Sequence, residues 1–241
     1  MNSRSALRAP GAALYLTLAV LLVALGLRLW DLDGASVWHD EAWSIRAIRD
    51  PIGTPDDNTP PVYYGLMHIL YLGAGDSAFA LRYGSALIDL VTVALAMRLA
   101  RAWGHWEAAI LAGALFAASP LLWAYAREIR AYVLVPLLTL VLLFLTERLL
   151  RPRDHFPWRV WLALLAAEIA LLYTHNLSAP VVGWLNLVVA GVWVVTPPWR
   201  ALAIRGCSAN LRAARRSTRR RRLPSTCRGT SGAHISRPSR R

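Results

Sequence analysis

Lysine is absent from this 241-residue chain, cysteine occurs only twice, and charged residues make up 17% of the whole. Average soluble domains carry about 25% charged residues, and here 56% of the residues are apolar. Those proportions exclude a disordered chain and argue against an ordinary soluble domain. Both cysteines, Cys207 and Cys227, lie beyond residue 200, so the apolar part has no disulfide and no thiolate metal site to hold it together. Acid is missing too, but only locally. Residues 200–241 hold 13 Arg and no Asp or Glu, whereas residues 1–199 hold 14 Arg and 14 acidic residues. The formal net charge of +13 therefore belongs to the C-terminal tail, and no nucleic-acid partner is expected of the rest.

What is present is a series of apolar blocks of span length. Arg4 and Arg8 precede the first, residues 12–29, which lacks a clean small-x-small cleavage site and reads as a signal anchor. Further spans are expected at 83–103, 108–125, 131–150, 160–173 and 179–197. The block 60–74 opens with Pro60-Pro61 and stops at Gly73 and Gly75. At roughly 15 residues it falls below the ~17 needed to cross, so it reads as an interfacial or re-entrant helix. With six spans, Arg4, Arg8, Arg98, Arg101, Arg148, Arg151, Arg153, Arg159 and the tail all face the cytoplasm, as the positive-inside rule asks. The expected protein is thus an all-α multi-pass protein of the plasma (inner) membrane, in contact with the lipid bilayer. A transmembrane module fills 1–198, a disordered Arg-rich tail fills 199–241, and both termini are cytoplasmic.

That topology puts the acid-rich loop 31–82 outside. Trp38, Ala42, Ile45 and Ile48 fall at i, i+4, i+7 and i+10, the stripe of a short helix lying on the membrane surface. Asp40 and Glu41 stand at its start, where a carboxylate meets the positive end of the helix dipole. On this feature alone the pair is either an N-terminal cap with a solvated face or a chemical group. Asp89 and Glu168 fall within spans, where an ionisable residue is a functional hypothesis by default, but no motif supports either.

The string Val37-Trp-His-Asp-Glu-Ala-Trp-Ser44 resembles the "LWxDEAxS" signature after the first span of the GT-C membrane glycosyltransferases, in the dolichyl-phosphate-mannose protein mannosyltransferase and RgtA/B/C/D-like group. Asp57-Asn-Thr-Pro-Pro-Val-Tyr-Tyr64 resembles that group's "DxHPPLYY", with Thr59 where His is common. Ser119-Pro-Leu-Leu-Trp-Ala-Tyr-Ala-Arg-Glu-Ile-Arg-Ala-Tyr132 resembles "SPxxxxYSxEARxY", and Leu172-Tyr-Thr-His175 resembles the "YTH" that opens the next external turn. The four come in the family's order, and the expected topology puts all of them on one side of the membrane.

The resemblance implies a GT-C-like helical bundle of about six spans with interfacial helices in its first external loop. It also implies an inverting transferase. A sugar would pass from a polyprenyl-phosphate carrier to a hydroxyl of an envelope glycan, lipid or protein at the external face. A general base must take the acceptor's proton, and Asp40 is the candidate. The departing phosphate is an anion that a cation should stabilise, and Arg127 and Arg130 are suited to it. Glu41 and Glu128 could bind the acceptor, hold an Arg, or share a divalent cation with Asp40. Tyr63 and Tyr64 are expected as interface-belt residues lining the sugar pocket, and His175 as either an interfacial hydrogen-bonding group or a substrate contact. The competing class is a non-catalytic multi-pass membrane subunit or transporter fragment, which would more naturally carry its ionisable residues at mid-span.

Family members usually carry more than ten spans, while this pattern stops at Pro197-Pro198. The tail is expected to be the displaced reading frame of a longer gene, leaving a truncated module with little or no activity of its own. An arm for anionic lipid and an RNA-binding arm are the alternatives. The six-span topology predicts that, with Cys207 and Cys227 replaced, Asp57→Cys reacts with an impermeant thiol reagent from outside and Arg153→Cys does not. Labelling of both from one side would overturn it.

Overall fold

A computed structural model describes residues 10–51, 61–150 and 157–195. Arg4, Arg8, Asp56, Asp57, Thr59, Pro60, Arg151, Arg153 and the tail lie outside the described residues. The chain divides into units 1–194 and 195–241, and the helical architecture belongs to the first.

All regular structure among the described residues is helical. The first helix, α1 (Pro10–Leu29), is apolar throughout most of its length and leads into an irregular stretch where Asp31 takes a positive φ of 51°. The short α2 (His39–Arg49) follows, with Asp40 and Glu41 in its first turn and Arg46 and Arg49 in its last, each sign where the helix dipole favours it. Next comes α3 (Val62–Ala74), 13 residues entered through Pro61 and left through Gly75, whose φ of 80° makes the turn. Ser77 caps α4 (Ala78–Trp103), its Oγ accepting from the Ala80 amide at 3.2 Å. At 26 residues α4 extends about 39 Å. It begins five residues before the expected span because Ser77 supplies the cap, which brings Arg82 into a helix rather than a loop.

The block expected as one span at 108–125 is two helices. α5 (Trp106–Ala118) and α6 (Pro120–Ala126) meet at an angle of 61°. Pro120 has no amide hydrogen and biases Ser119 away from helical geometry, while the Ser119 Oγ accepts from the Leu122 amide and starts α6 afresh. A 3₁₀ turn, Ala131–Val133, opens α7 (Leu134–Leu150). The last described helices are α8 (Trp158–Leu172) and α9 (Ala179–Val195).

Among the described residues three stretches are long and apolar enough to cross a membrane, Gly11–Leu29, Ala78–Trp103 and Ala131–Leu150, or four if α5 and α6 make one bent span. The chain is a helical membrane protein. Three apolar clusters bind it together. One joins α1, α4 and α5 through Ala24, Val93, Met97 and Ala109. One joins α7, α8 and α9 through Leu142, Leu164, Leu171 and Leu185. The third gathers Ile48, Tyr63, Met67, Leu81, Ile129 and Val133 from α2, α3, α4 and the turn before α7. α5 comes so close to its neighbours that a Cβ on Gly113 would stand 2.7 Å from Met97 and 3.0 Å from Val20.

Inside this apolar frame lies an ion pair. Arg28, in the last turn of α1, is fully buried, and its Nε donates to Asp89 Oδ2 of α4 at 2.6 Å. Its Nη1 donates to the Ala117 carbonyl at 2.6 Å and its Nη2 to that of Phe116 at 3.0 Å. Those two carbonyls lie at the end of α5, where the Phe116 carbonyl also accepts from the Ser119 amide at 3.4 Å and Pro120 has no amide hydrogen to continue the ladder. One guanidinium thus serves α1, α4 and the break. Arg28→Leu is predicted to destabilise the bundle by about 3–5 kcal/mol, the range for removing one partner of a buried pair, as read from equilibrium unfolding in detergent. Arg28→Leu with Asp89→Leu should recover much of that loss. Equal losses in the single and double variants would show that Asp89 is not the partner that matters.

Candidate functional site

The chain leaves α1 through residues 30–38, where backbone carbonyls lack the regular partners of a helix. Donors from distant elements supply the need. Trp123 Nε1 of α6 donates to the Leu27 carbonyl at 2.8 Å, and Arg127 Nη2 donates to the Asp31 carbonyl at 2.5 Å. Arg82 of α4 donates through Nη1 to the carbonyls of Leu32 at 3.1 Å and Ala35 at 2.8 Å, and through Nη2 to that of Ser36 at 3.4 Å.

The same Arg82 holds Glu41 as a two-point fork, Nε to Oε1 at 3.0 Å and Nη2 to Oε2 at 2.6 Å, with both side chains almost wholly buried. Glu41 Oε1 also accepts the Ile129 amide at 3.1 Å. Both carboxylate oxygens therefore face internal donors. Of the roles open to Glu41 in the sequence, holding an Arg is the one its geometry performs. A divalent cation shared by Asp40 and Glu41 does not fit this arrangement. Among the described residues no group of three or more His, Cys, Asp or Glu is placed to hold a metal ion.

Asp40, one residue earlier, points the other way. Its side chain is 40% exposed and its Oδ2 lies 3.5 Å from Arg130 Nη2, while Arg130 Nη1 reaches the Asp40 carbonyl at 3.4 Å. Charge-assisted N–H···O contacts close to about 2.7–2.9 Å when tight. The pair is loose, so each partner keeps capacity for a third group. Arg130 also stands over the Tyr132 ring at 5.4 Å, and Tyr132 lies between Tyr125 and His175, 4.9 Å from each ring.

The two arginines expected at the phosphate differ. Arg127 stacks on Trp123 at 4.4 Å while bonding Asp31, so its fork is engaged in structure. Arg130 is the one beside Asp40. Glu128, between them in sequence, makes no ion pair with either among the described residues. Burial first, and the nearby Glu41 charge second, raise its carboxyl above the ordinary range, with Arg130 and Arg82 opposing and Asp40 adding to the rise.

The tyrosines depart from expectation. Tyr63 and Tyr64 are buried, 0% and 4% exposed, not placed in a surface belt. They share the inward face of α3 with Met67, against Leu81 of α4, and the Tyr63 hydroxyl meets Ser85 Oγ at 2.9 Å. Burial pushes the Tyr63 phenol well above its usual pKa. His68 fixes another contact: its Nδ1 lies 2.7 Å from the Ile48 carbonyl, which only accepts, so Nδ1 carries the proton. The start of α3 also reaches the fourth motif, the Val62 amide donating to the Tyr173 carbonyl at 3.1 Å.

The described parts of the four motifs are therefore contiguous. Asp40 touches Arg130, Glu41 touches Ile129, Tyr132 touches His175, and Val62 touches Tyr173. Sequence reading missed Arg28, Arg82, Tyr125 and Tyr132. For Arg82 a signal existed: Arg82, Ser85, Asp89 and Thr92 stand at i, i+3, i+7 and i+10, a polar stripe along one face of an apolar helix, and all four are buried.

Glu128 yields a prediction with a sign. Its raised pKa means that any stability tied to its protonated form is complete below the ordinary carboxylate range and lost as pH rises through the raised value. Asp40→Asn removes a repelling charge and should lower the Glu128 pKa, whereas Arg130→Gln removes an attracting one and should raise it. Infrared titration of the carboxyl band, assigned with Glu128→Gln, reads both. Shifts of the same sign would contradict the arrangement.

Compared with known proteins, the chain matches no family model, no curated protein and no solved structure.

Proposed function

We propose that this chain is the membrane module of an inverting glycosyltransferase. It takes a sugar from a polyprenyl-phosphate carrier and transfers it to a hydroxyl of an envelope glycan, lipid or protein at the external face. The reading includes six crossings, with α5 and α6 as one bent span and α8 and α9 as the last two. For the 15-residue α8 it rests on keeping Arg148 and Arg159 on the inner side rather than on length. The motif-bearing end then faces outward and the termini inward. The observation that carries it is the loose Asp40–Arg130 pair, formed where the described parts of the four motif segments meet.

The chemistry follows from those two groups. Asp40 accepts the proton of the acceptor hydroxyl as its oxygen attacks the anomeric carbon. Arg130 stabilises the phosphate that leaves with the carrier, its planar fork matching two phosphate oxygens. A base and an anion clamp stand 3.5 Å apart. Attack opposite the leaving group lines up the acceptor oxygen, the anomeric carbon and the phosphate oxygen between them, so they must part by about the width of a sugar to take a donor and an acceptor. Arg127 and Glu41 keep the frame, and the apolar flanks of the bundle suffice for the polyprenyl chain. Glu128, partly buried and in no ion pair among the described residues, is the second carboxylate suited to proton work.

The test is transfer by the whole chain in lipid vesicles, with short-chain polyprenyl-phosphate hexoses and pentoses as donors. Asp40→Asn keeps size but removes the base, so turnover is predicted to fall about 10²–10⁴-fold with carrier binding nearly intact. Arg130→Lys should instead weaken carrier binding, because an ammonium cannot form the fork. Unaltered transfer by Asp40→Asn would move the base to Glu128. Carrier binding without transfer would leave the chain a donor-binding module with little activity of its own, as expected from the sequence. Absence of both carrier binding and transfer with every donor would remove the enzyme reading.

A further inference from the structure

Glu168 stands on α8 about 6 Å inside the end at Leu172. Its Oε1 accepts from Asn186 Nδ2 of α9 at 2.9 Å, and the same Nδ2 donates to the Val182 carbonyl at 3.0 Å. Asn186 is anchored to its own helix, so the carboxylate is drawn against α9 rather than left free to snorkel toward water. Oε2 has no partner among the described residues. The pair lies at the edge of the α8–α9 seam, bordered by exposed Leu165, Ile169 and Leu172 on one helix and Gly183, Leu187 and Ala190 on the other.

Lipid tails can cover those apolar side chains. They cannot supply a donor to Glu168, and ionisable groups at such depth pair with one another or with backbone. Gly183 leaves the approach open, since a Cβ there would meet nothing within 4 Å. From this we infer that the α8–α9 edge docks a further transmembrane helix, one that presents an Arg or Lys to Glu168. The inference rests on α8 and α9 lying in the bilayer, as the six-span reading has them. It is independent of the transfer chemistry. Charge complementarity selects the occupant: a carboxylate with one oxygen already fixed wants a cation, not another carboxylate.

The experiment uses the whole chain in vesicles with two synthetic leucine helices bearing photo-leucine. One carries a single Arg a turn and a half below its outer end and the other carries Leu there. The Arg helix should crosslink to residues 158–195 roughly five- to tenfold more than the Leu helix, the scale of an interhelical polar contact. Glu168→Leu should erase the difference, while Glu168→Asp should retain part of it. Equal crosslinking of the two helices, or a preference that survives Glu168→Leu, overturns the proposal. Gly183→Cys, with Cys207 and Cys227 replaced, separates the premise from the inference. Ready labelling of that position by an impermeant reagent would mean that α9 is not in the bilayer.

Discussion

A guanidinium carries five N–H donors and cannot shed its charge. Burying one in an apolar bundle therefore obliges the chain to bring acceptors to it, and Arg82 is where that obligation shapes the molecule. The acceptors come from irregular backbone, the carbonyls of Leu32, Ala35 and Ser36, and from the Glu41 carboxylate. Carbonyls turned away from water need internal donors, so the segment after α1 needs Arg82 as much as Arg82 needs the segment. Arg28 repeats the pattern at the α5–α6 break with the carbonyls of Phe116 and Ala117. Buried charge and interrupted helix ladder are matched, one against the other, at both places.

This matching explains how adjacent or near-adjacent residues come to differ. Asp40 and Glu41 are neighbours, yet Glu41 turns inward to Arg82 and the Ile129 amide while Asp40 stays at the surface beside Arg130. Glu41 fixes α2 against the turn before α7, and the Asp40–Arg130 separation follows from that fixed contact. Arg127 and Arg130 divide in the same way, one closing the exit of α1 and the other facing Asp40.

Much of the fold was legible in the sequence because length and hydropathy act locally. The helices at 10–29, 134–150 and 158–172 and the short helix before Gly75 answer to apolar blocks and their breakers. The helix after Trp38, by contrast, forms where its stripe placed it but buries Glu41, Ser44, Ala47 and Ile48 and leaves Trp38 and Ala42 exposed. The break at Ser119-Pro120 carried a local signal that the apolar run concealed. Side-chain direction was less legible. Tyr63 and Tyr64 read as belt residues because tyrosine favours interfaces, but α3 packs on α4 and turns both inward. The partners of Arg28 and Arg82 lie 61 and 41 residues away in the chain, a distance over which composition and spacing carry no pairing information. The polar stripe on α4 marked which face was buried, not what it met.

The Arg28–Asp89 pair also bears on how such a chain enters its membrane. Synthesis proceeds from the N-terminus, so α1 is made well before α4 supplies Asp89. Until then Arg28 is a lone cation at the end of an apolar segment, close enough to that end for its side chain to reach headgroups. Closing the pair draws it inward, and the carbonyls of Phe116 and Ala117 are made later still. The side chain of Arg28 thus meets its last partners only when the fourth and fifth helices have been made, and the contacts of the first helix are completed backwards, from later helices to the first.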